Sequence, residues 1–364
     1  MDMKGIWNQM QKTYGEKTAL FGADEDFVAK ADVISTGSHI LNNALGVNGF
    51  PQGRVIQLCG RESSGKTMMS LIAISNWQKQ DPKNWALFID CEATFSPEWA
   101  AKLGVDLSRL KVHKSNSGKE VFEMLCGVPH KELGKKKAKD GLLDVIFENG
   151  GAEQTGLGVI VLDSVAAMQP PILETSGVAD HQIAPMGRFL SSNLPRLVSL
   201  LAKTNIAFIG INQLRIALGT YGNPESSPGG SALKHASSLI INLKQSGKSE
   251  DKILNESGDM IGHYVNFKID KNKVASPFKK GKFAIEYLKG IVREGEEIVD
   301  VAISHNIISR PNNVMYEYGE EKWKGRDNVN QAVEENEELK RELLNKIYAQ
   351  IGVVEEEDAS TMSE

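Results

Sequence analysis

Disulfides, membrane spans and any surplus of positive charge are missing from this sequence. Three cysteines among 364 residues are too few, and odd in number, for a disulfide framework. Cys59 and Cys91 sit in apolar, strand-like runs, where a small buried residue fits, so they read as core and not as chemistry. The longest apolar runs, such as Ile206–Ile211, are strand-sized and far short of the roughly 20 residues that cross a bilayer. Met1–Met10 carries charge and Trp7 with no apolar stretch behind it, unlike a cleavable signal. A cytoplasmic protein without membrane contact is expected. Seven histidines are scattered singly, which argues against a zinc site.

The net charge is −5, from 42 Lys and Arg against 47 Asp and Glu. Such a sum argues only weakly against nucleic acid, because screening cuts fields off within about 8 Å at physiological salt. Placement matters more. The last basic residue is Lys346, and Glu355-Glu-Glu-Asp358 follow in a polar tail, which leaves the body closer to neutral. An apolar content of 41% is that of an ordinary soluble globular chain, long enough for one large domain or two.

What is present is a phosphate loop. Gly60-Arg61-Glu62-Ser63-Ser64-Gly65-Lys66-Thr67 is an unbroken match to G-x-x-x-x-G-K-[ST]. Before it, Arg54–Cys59 is apolar and partly β-branched, as a buried strand is; after it, Met68–Gln80 reads as a helix. In that order the backbone N–H groups of the loop and the helix N-terminus converge on one point and bind phosphate. Lys66 is expected to reach the β- and γ-phosphates, and Thr67 to hold Mg²⁺, the only metal implied.

Further strands end in polar residues. Trp85–Asp90 runs into Cys91-Glu92, and a carboxylate just past the C-terminal edge of a parallel strand lies in the crevice where such sheets bind ligands. Glu92 is a candidate to polarise an attacking water, with Asp90 its competitor; the plainer reading of either is a capping or salt-bridged acid. Val159–Asp163 is an apolar run ending in an acid, weak alone but strong beside a phosphate loop, where Asp163 would serve Mg²⁺. Ile206–Ile211 ends in Asn212-Gln213, where an amide can report on the γ-phosphate or simply make an ordinary strand-end hydrogen bond. Two long loops leave this edge, from about Gln169 to Pro185 and from Leu214 to Gly230, the second rich in glycine; long structureless loops in a compact domain tend to be functional. The first feeds a helix carrying Arg188 and Arg196.

Ile34-Ser-Thr-Gly-Ser38, the phosphate loop, Phe88-Ile-Asp-Cys-Glu92, Val161-Leu-Asp-Ser-Val-Ala-Ala167, Ile211-Asn-Gln-Leu-Arg215, Gly222-Asn-Pro-Glu225 and Lys271-Asn-Lys-Val-Ala-Ser-Pro-Phe278 together resemble, in order, the motifs of bacterial RecA recombinases. The resemblance implies an α/β P-loop NTPase core with a mostly parallel twisted sheet. It also implies ATP and Mg²⁺, a helical homo-oligomeric filament on single-stranded DNA, and pairing with homologous double-stranded DNA. Single-strand-binding and loader proteins are expected partners. Gly60 to Met68 would hold ATP, with Lys66 also catalytic. Glu92 matches the catalytic glutamate, Thr67 and Asp163 the Mg²⁺ residues, Gln213 the γ-phosphate sensor, and Trp99 the aromatic that stacks on adenine. Lys271 and Lys273 match a pair that reaches ATP across the subunit interface; without the motif they would read as solvated lysines.

For DNA, the resemblance places loops at about Pro170 to Met186 and Leu214 to Gly230. It implies phosphate contacts from Arg188, Arg196, Arg215 and Ser231, apolar insertion by Ile183 and Leu218, and backbone N–H contacts near Gly229 and Gly230. Contacts of this kind are independent of base sequence. Departures from the family pattern fall at Ala217, Tyr221, Pro195 and His235. A further one is an extra stretch near 126–155 with the charge run Lys131-Glu-Leu-Gly-Lys-Lys-Lys-Ala-Lys139, read as a solvated face before a DNA contact, or as a partner site. The expected organisation is an N-terminal oligomerisation helix (1–30), an ATPase core (31–289), a small α/β domain (290–352) that mixes short strands with helices such as Asn328 to Gln350, and an acidic tail (353–364). Two other classes share the phosphate loop: a ring-forming ATPase such as a hexameric helicase, and a binding module that does not hydrolyse. Against the first stand the 222–225 loop and the lysine pair; against the second stands Glu92, since a pure binder needs no water-activating acid.

Overall fold

Short apolar runs punctuated by glycine become strands here, and the periodic stretches between them become helices. The computed structural model describes residues 9, 12, 32–128, 139–172, 185–216, 225–226 and 229–351. The chain divides at Asp32. In the first unit Gln9 and Lys12 are helical and exposed; everything that follows concerns the second.

Its strands are β1 (Val33–Ile34), β2 (Phe50–Pro51), β3 (Val55–Gly60), β4 (Trp85–Asp90), β5 (Leu110–Lys114), β6 (Leu157–Asp163), β7 (Ala207–Gln213), β8 (Arg215–Ile216) and β9 (Glu225–Ser226), then β10 (Leu239–Gln245), β11 (Lys252–Leu254), β12 (Met260–Asn272), β13 (Lys280–Glu286), β14 (Gly290–Val292), β15 (Met315–Tyr318) and β16 (Glu321–Lys324). Ten of them make one sheet in the order β14-β13-β12-β10-β3-β7-β6-β4-β5, with β11 paired to β12. From β10 to β5 every pairing is parallel; β11 to β14 add antiparallel strands.

Successive side chains on a strand point to opposite faces, and the sheet is covered on both. Val159 and Val161 join one core with the helix Lys66–Gln80, while Ile160 and Leu162 join another with the helix Pro185–Thr204. This is why β6 is apolar at consecutive positions. β5 was not among the strands expected from the sequence. Its residues Lys111-Val-His-Lys114 are mostly exposed at the sheet edge, so no apolar run announced it; charged side chains are a usual protection for such an edge.

Two expectations need adjusting. Gly290–Val292 pairs with β13, so the sheet extends past 289 and the small module starts after Val292. Its own core gathers Ile298, Val301, Val329, Val333 and Leu343. The helix expected from Asn328 to Gln350 is two, Arg326–Glu335 and Glu337–Ile351, because Asn336 is extended and its Oδ1 accepts from the N–H groups of Glu338 and Leu339, both at 3.1 Å. Among the described residues of the stretch near 126–155, Cys126, Leu143, Ile146 and Ala152 are buried with Leu194 and Leu197. The charge run from Lys131 lies outside the described residues apart from Lys139.

A polar joint fastens the module to the sheet. Glu297 Oε2 accepts from Ser38 Oγ at 2.7 Å and from Ile40 N at 3.1 Å, holding the start of the helix His39–Leu45. Burial pushes the Glu297 carboxyl up to about 7.

Candidate nucleotide site and DNA-facing elements

The phosphate loop leaves β3 at Gly60, where a Cβ would collide with Leu243 O and Ser64 Oγ. Ser63 and Gly65 have φ of 57° and 85°, a left-handed turn that aims successive N–H groups to one side. Lys66 is buried, and its Nζ donates to Arg61 O at 2.6 Å and Ser64 Oγ at 3.3 Å. Burial lowers its pKa while Asp163 opposes the shift.

Opposite the loop, β4 and β6 end level with each other at Asp90 and Asp163. Thr67 Oγ1 donates to Asp163 Oδ2 at 2.7 Å. Asp163 is pushed up to about 6, first by burial and then by Glu92 and Asp90, against the pull of the Thr67 hydroxyl. The two candidate acids are placed differently. Asp90 is buried and accepts from the N–H groups of Thr94 (3.2 Å) and Phe95 (3.1 Å), which closes the turn after β4. Glu92 is exposed, and its Oε1 accepts from Ser164 Oγ at 2.5 Å and Gln213 Nε2 at 3.3 Å. Asp90 has a structural task; Glu92 is held by two side chains in the open crevice. Ser164 was not singled out by the sequence, since a serine after a strand-end acid has no signature of its own.

Gln213 ends β7, level with Gly60. Immediately beyond it, β8 and β9 pair, with Arg215 opposite Ser226, and so close the base of the second loop. The amide touching Glu92 is therefore two residues from that base.

Ser63 to Met68, Thr94, Trp99, His263, Ile285 and Tyr287 bound a cavity of about 390 Å³. Trp99 Nε1 donates to Tyr287 O at 2.8 Å, which fixes the indole against the residue that follows β13. The sequence pointed to Trp99 but not to His263, Ile285 or Tyr287. His263 and Ile285 come from antiparallel strands, and Tyr287 from the turn after β13, about 200 residues downstream of the loop, brought beside it only by the β3-β10-β12-β13 order.

Of the residues expected at DNA, Arg188 is exposed on the helix Pro185–Thr204. Arg196, on the same helix, pairs with Asp144 at 3.0 Å, so a phosphate contact there would compete with an internal ion pair. Gly229 and Gly230 have φ of 94° and 62° and open the helix Gly230–Ala236, on which Ser231 is exposed. A Cβ on Gly229 would stand 3.0 Å from Leu190 Cδ1, so Gly229 lies against the helix that carries Arg188. Ile183, Leu218, Ala217 and Tyr221 lie outside the described residues.

Lys271 and Lys273 are elsewhere. β12 runs antiparallel, with Asn272 level with Leu239 and Leu239 level with Ile56, so both lysines sit toward the sheet edge opposite the phosphate loop. Lys271 Nζ donates to Lys234 O (2.5 Å) and His235 O (3.2 Å), and Lys273 Nζ to His235 O (3.5 Å). Between them Asn272 Nδ2 donates to Leu45 O at 3.0 Å, and its Oδ1 accepts from Val274 N and Ala275 N.

The RecA N-terminal domain family matches residues 2–130 and 142–292. The chain belongs to the RecA family. This RecA-family chain is 35% identical over 346 residues to the Protein RecA of Arthrobacter sp. (strain FB24), covering 95% of this chain and 90% of that protein. It is 32% identical over 348 residues to the Protein RecA of Francisella tularensis subsp. novicida (strain U112), with 94% and 88% covered. Membership carries recombinase function with ATP and DNA binding, and the ring-forming ATPase is not favoured. The internal gap between the two matched parts, 131–141, narrows the extra stretch to the charge run and its flank. Among the described residues of this RecA-family chain, no helix is long and apolar enough to cross a membrane.

Proposed function

We propose that the chain polymerises with ATP into a helical filament on single-stranded DNA, hydrolyses ATP at sites completed between neighbouring subunits, and exchanges the bound strand with a homologous duplex. The observation that carries this is the bond from Gln213 Nε2 to Glu92 Oε1. It joins the carboxylate in the crevice to the strand that feeds the second loop at Arg215, so the state of the γ-phosphate and that of the loop share one side chain.

In this reading the loop N–H groups and Lys66 bind the phosphates, and Trp99 and Tyr287 flank the base. Glu92, held by Ser164 and Gln213, orients the attacking water and accepts its proton. Thr67 and Asp163 would hold Mg²⁺: they are hard oxygen donors, and Asp163 stands among like charges that a cation offsets. Bound Mg²⁺ would neutralise phosphate charge. Lys271 and Lys273, remote from the loop of their own chain, act on ATP held by a neighbour, much as an arginine finger does. Arg188, Ser231 and the N–H groups of Gly229 and Gly230 contact phosphates of the strand. Single-strand-binding and loader proteins would meet the filament there.

ATP turnover of the purified chain, with and without single-stranded DNA, tests the proposal, with a Lys271→Ala, Lys273→Ala double variant alongside. Strong stimulation in the parent and none in the variant is expected. Turnover indifferent to DNA and to both substitutions would overturn it.

A further inference from the structure

Glu92 sits where a carboxylate is hard to hold still. It is exposed just after β4, and Asp163, raised first by burial, is raised further by the charge of Glu92, so the two acids repel one another. Two side chains oppose that push, both on one oxygen: Ser164 Oγ donates to Glu92 Oε1 at 2.5 Å, and Gln213 Nε2 at 3.3 Å. The two donors are mounted differently. Gln213 ends β7, two residues before β8 and the base of the second loop. Ser164 is 0% exposed, and its surroundings tie it to the strands on either side. Cys91 N donates to Asp163 O at 2.7 Å, Val165 N to Ile211 O at 2.9 Å, and Ala167 N to Ser164 O at 3.1 Å. A carboxylate can only accept, so the hydroxyl proton of Ser164 points at Glu92.

In the ATP reading above, the Gln213 amide also answers to the γ-phosphate, and one Nε2 cannot serve both acceptors fully at once. When it turns to the phosphate, Ser164 is the donor left on Glu92 among the described residues. Resting on that reading, we propose that Ser164 is the positioning residue that holds the catalytic carboxylate through the whole cycle. Its hydroxyl keeps Oε1 in place after Gln213 leaves, and Oε2, which neither donor touches, faces the attacking water. In that step an O–H bond of the water breaks and its proton goes to Oε2, while the water oxygen bonds the γ-phosphorus and the bond to ADP breaks. A serine buried at this turn for packing alone would act on stability, and equally whether or not a carboxylate stands at position 92.

Steady-state and single-turnover ATP hydrolysis by the full chain on single-stranded DNA separates the two cases. Ser164→Ala is expected to lower kcat about tenfold, the scale of one lost hydrogen bond to a charged group, with KM for ATP and assembly on DNA unchanged. Ser164→Thr, which keeps the hydroxyl, is expected to recover most of the loss; a threonine variant that folds and recovers nothing counts against the proposal. In a Glu92→Gln background the two roles part. Because Ser164 acts through the carboxylate, adding Ser164→Ala there should cost less than about twofold of the residual turnover. An equal loss in both backgrounds, a loss confined to KM, or no loss in either would overturn the assignment. A parent chain without DNA-stimulated turnover would sink the ATP reading as well, whereas a stimulated parent that needs Glu92 but not Ser164 sinks only this one. Should Ser164→Ala fail to fold, Ser164→Cys, whose thiol is a weak donor, takes its place in both backgrounds with the same expectations.

Discussion

The two edges of the central sheet are built for different tasks. At the carboxyl edge, strand ends deliver Gly60, Asp90, Asp163 and Gln213 to one crevice, and the groups there are coupled directly: Thr67 to Asp163, and Ser164 and Gln213 to Glu92. At the amino edge, Lys271 and Lys273 rest on carbonyls at the end of the helix Gly230–Ala236. They are held indirectly, through buried Asn272 on Leu45 O and, at the other end of the helix His39–Leu45, through Glu297 on Ser38. One edge carries the phosphate loop and the strand-end acids; the other presents two lysines remote from the loop of their own chain. In the proposed reading, a sheet so divided holds two halves of a site that a second copy would unite.

Four results would break or sharpen this contrast. The largest expected effect is from Lys271→Ala with Lys273→Ala: about 10³-fold less DNA-stimulated turnover, on the scale of a missing arginine finger, with ATP binding by the isolated subunit unchanged. If binding falls too, the edges are not separate. Glu92→Gln should cost about 10²-fold or more in turnover while DNA-dependent assembly persists. Mixing this variant with the double-lysine variant should restore part of the activity, because interfaces then form with one intact half from each; strictly additive inactivity would refute completion between subunits.

Asn272→Ala removes the anchor between the lysines, and turnover on DNA should fall about tenfold, with the loss of buried hydrogen bonds visible as a lower melting temperature. Normal stimulation would mean the lysines need no such anchor. The smallest effect on turnover is expected for Glu297→Gln, whose readout is stability. The folded carboxyl sits at about 7 against an ordinary 4.5, so the folded state holds the extra proton between those values, and stability falls as pH rises from 4.5 to 7. Glu297→Gln should flatten that slope and stabilise the fold above pH 7 by at most about 3 kcal/mol. Asp163, raised to about 6, contributes in the same direction, so the difference between parent and variant in urea unfolding at pH 5 and pH 7.5 is the quantity to compare.

Legibility in the sequence followed local chemistry. The phosphate loop, the strand Trp85–Asp90 and the acid at Asp163 were plain because each is a contiguous pattern whose meaning does not depend on partners. β5 escaped because an exposed edge strand needs no apolar run. The break at Asn336 escaped because helix propensity on both sides hid a side-chain cap. Asp90 and Glu92 could not be told apart by spacing. Two N–H groups on one carboxylate and two side chains on the other distinguish them.

By itself the sequence determined the nucleotide chemistry, since glycines, a lysine and strand-end acids act through backbone geometry within a few residues of one another. It also determined family membership, through motifs that keep their order along the chain. Tertiary structure alone decided which side chains meet. His263 and Tyr287 reach the loop because β12 and β13 extend the sheet beside β10, Ser164 reaches Glu92 because β4 and β6 are neighbours in register, and the lysine pair ends up on the far edge because β12 runs antiparallel. Strand order and direction set these contacts, and both are fixed by burying two faces of one sheet at once, a property of the whole chain that no single segment carries.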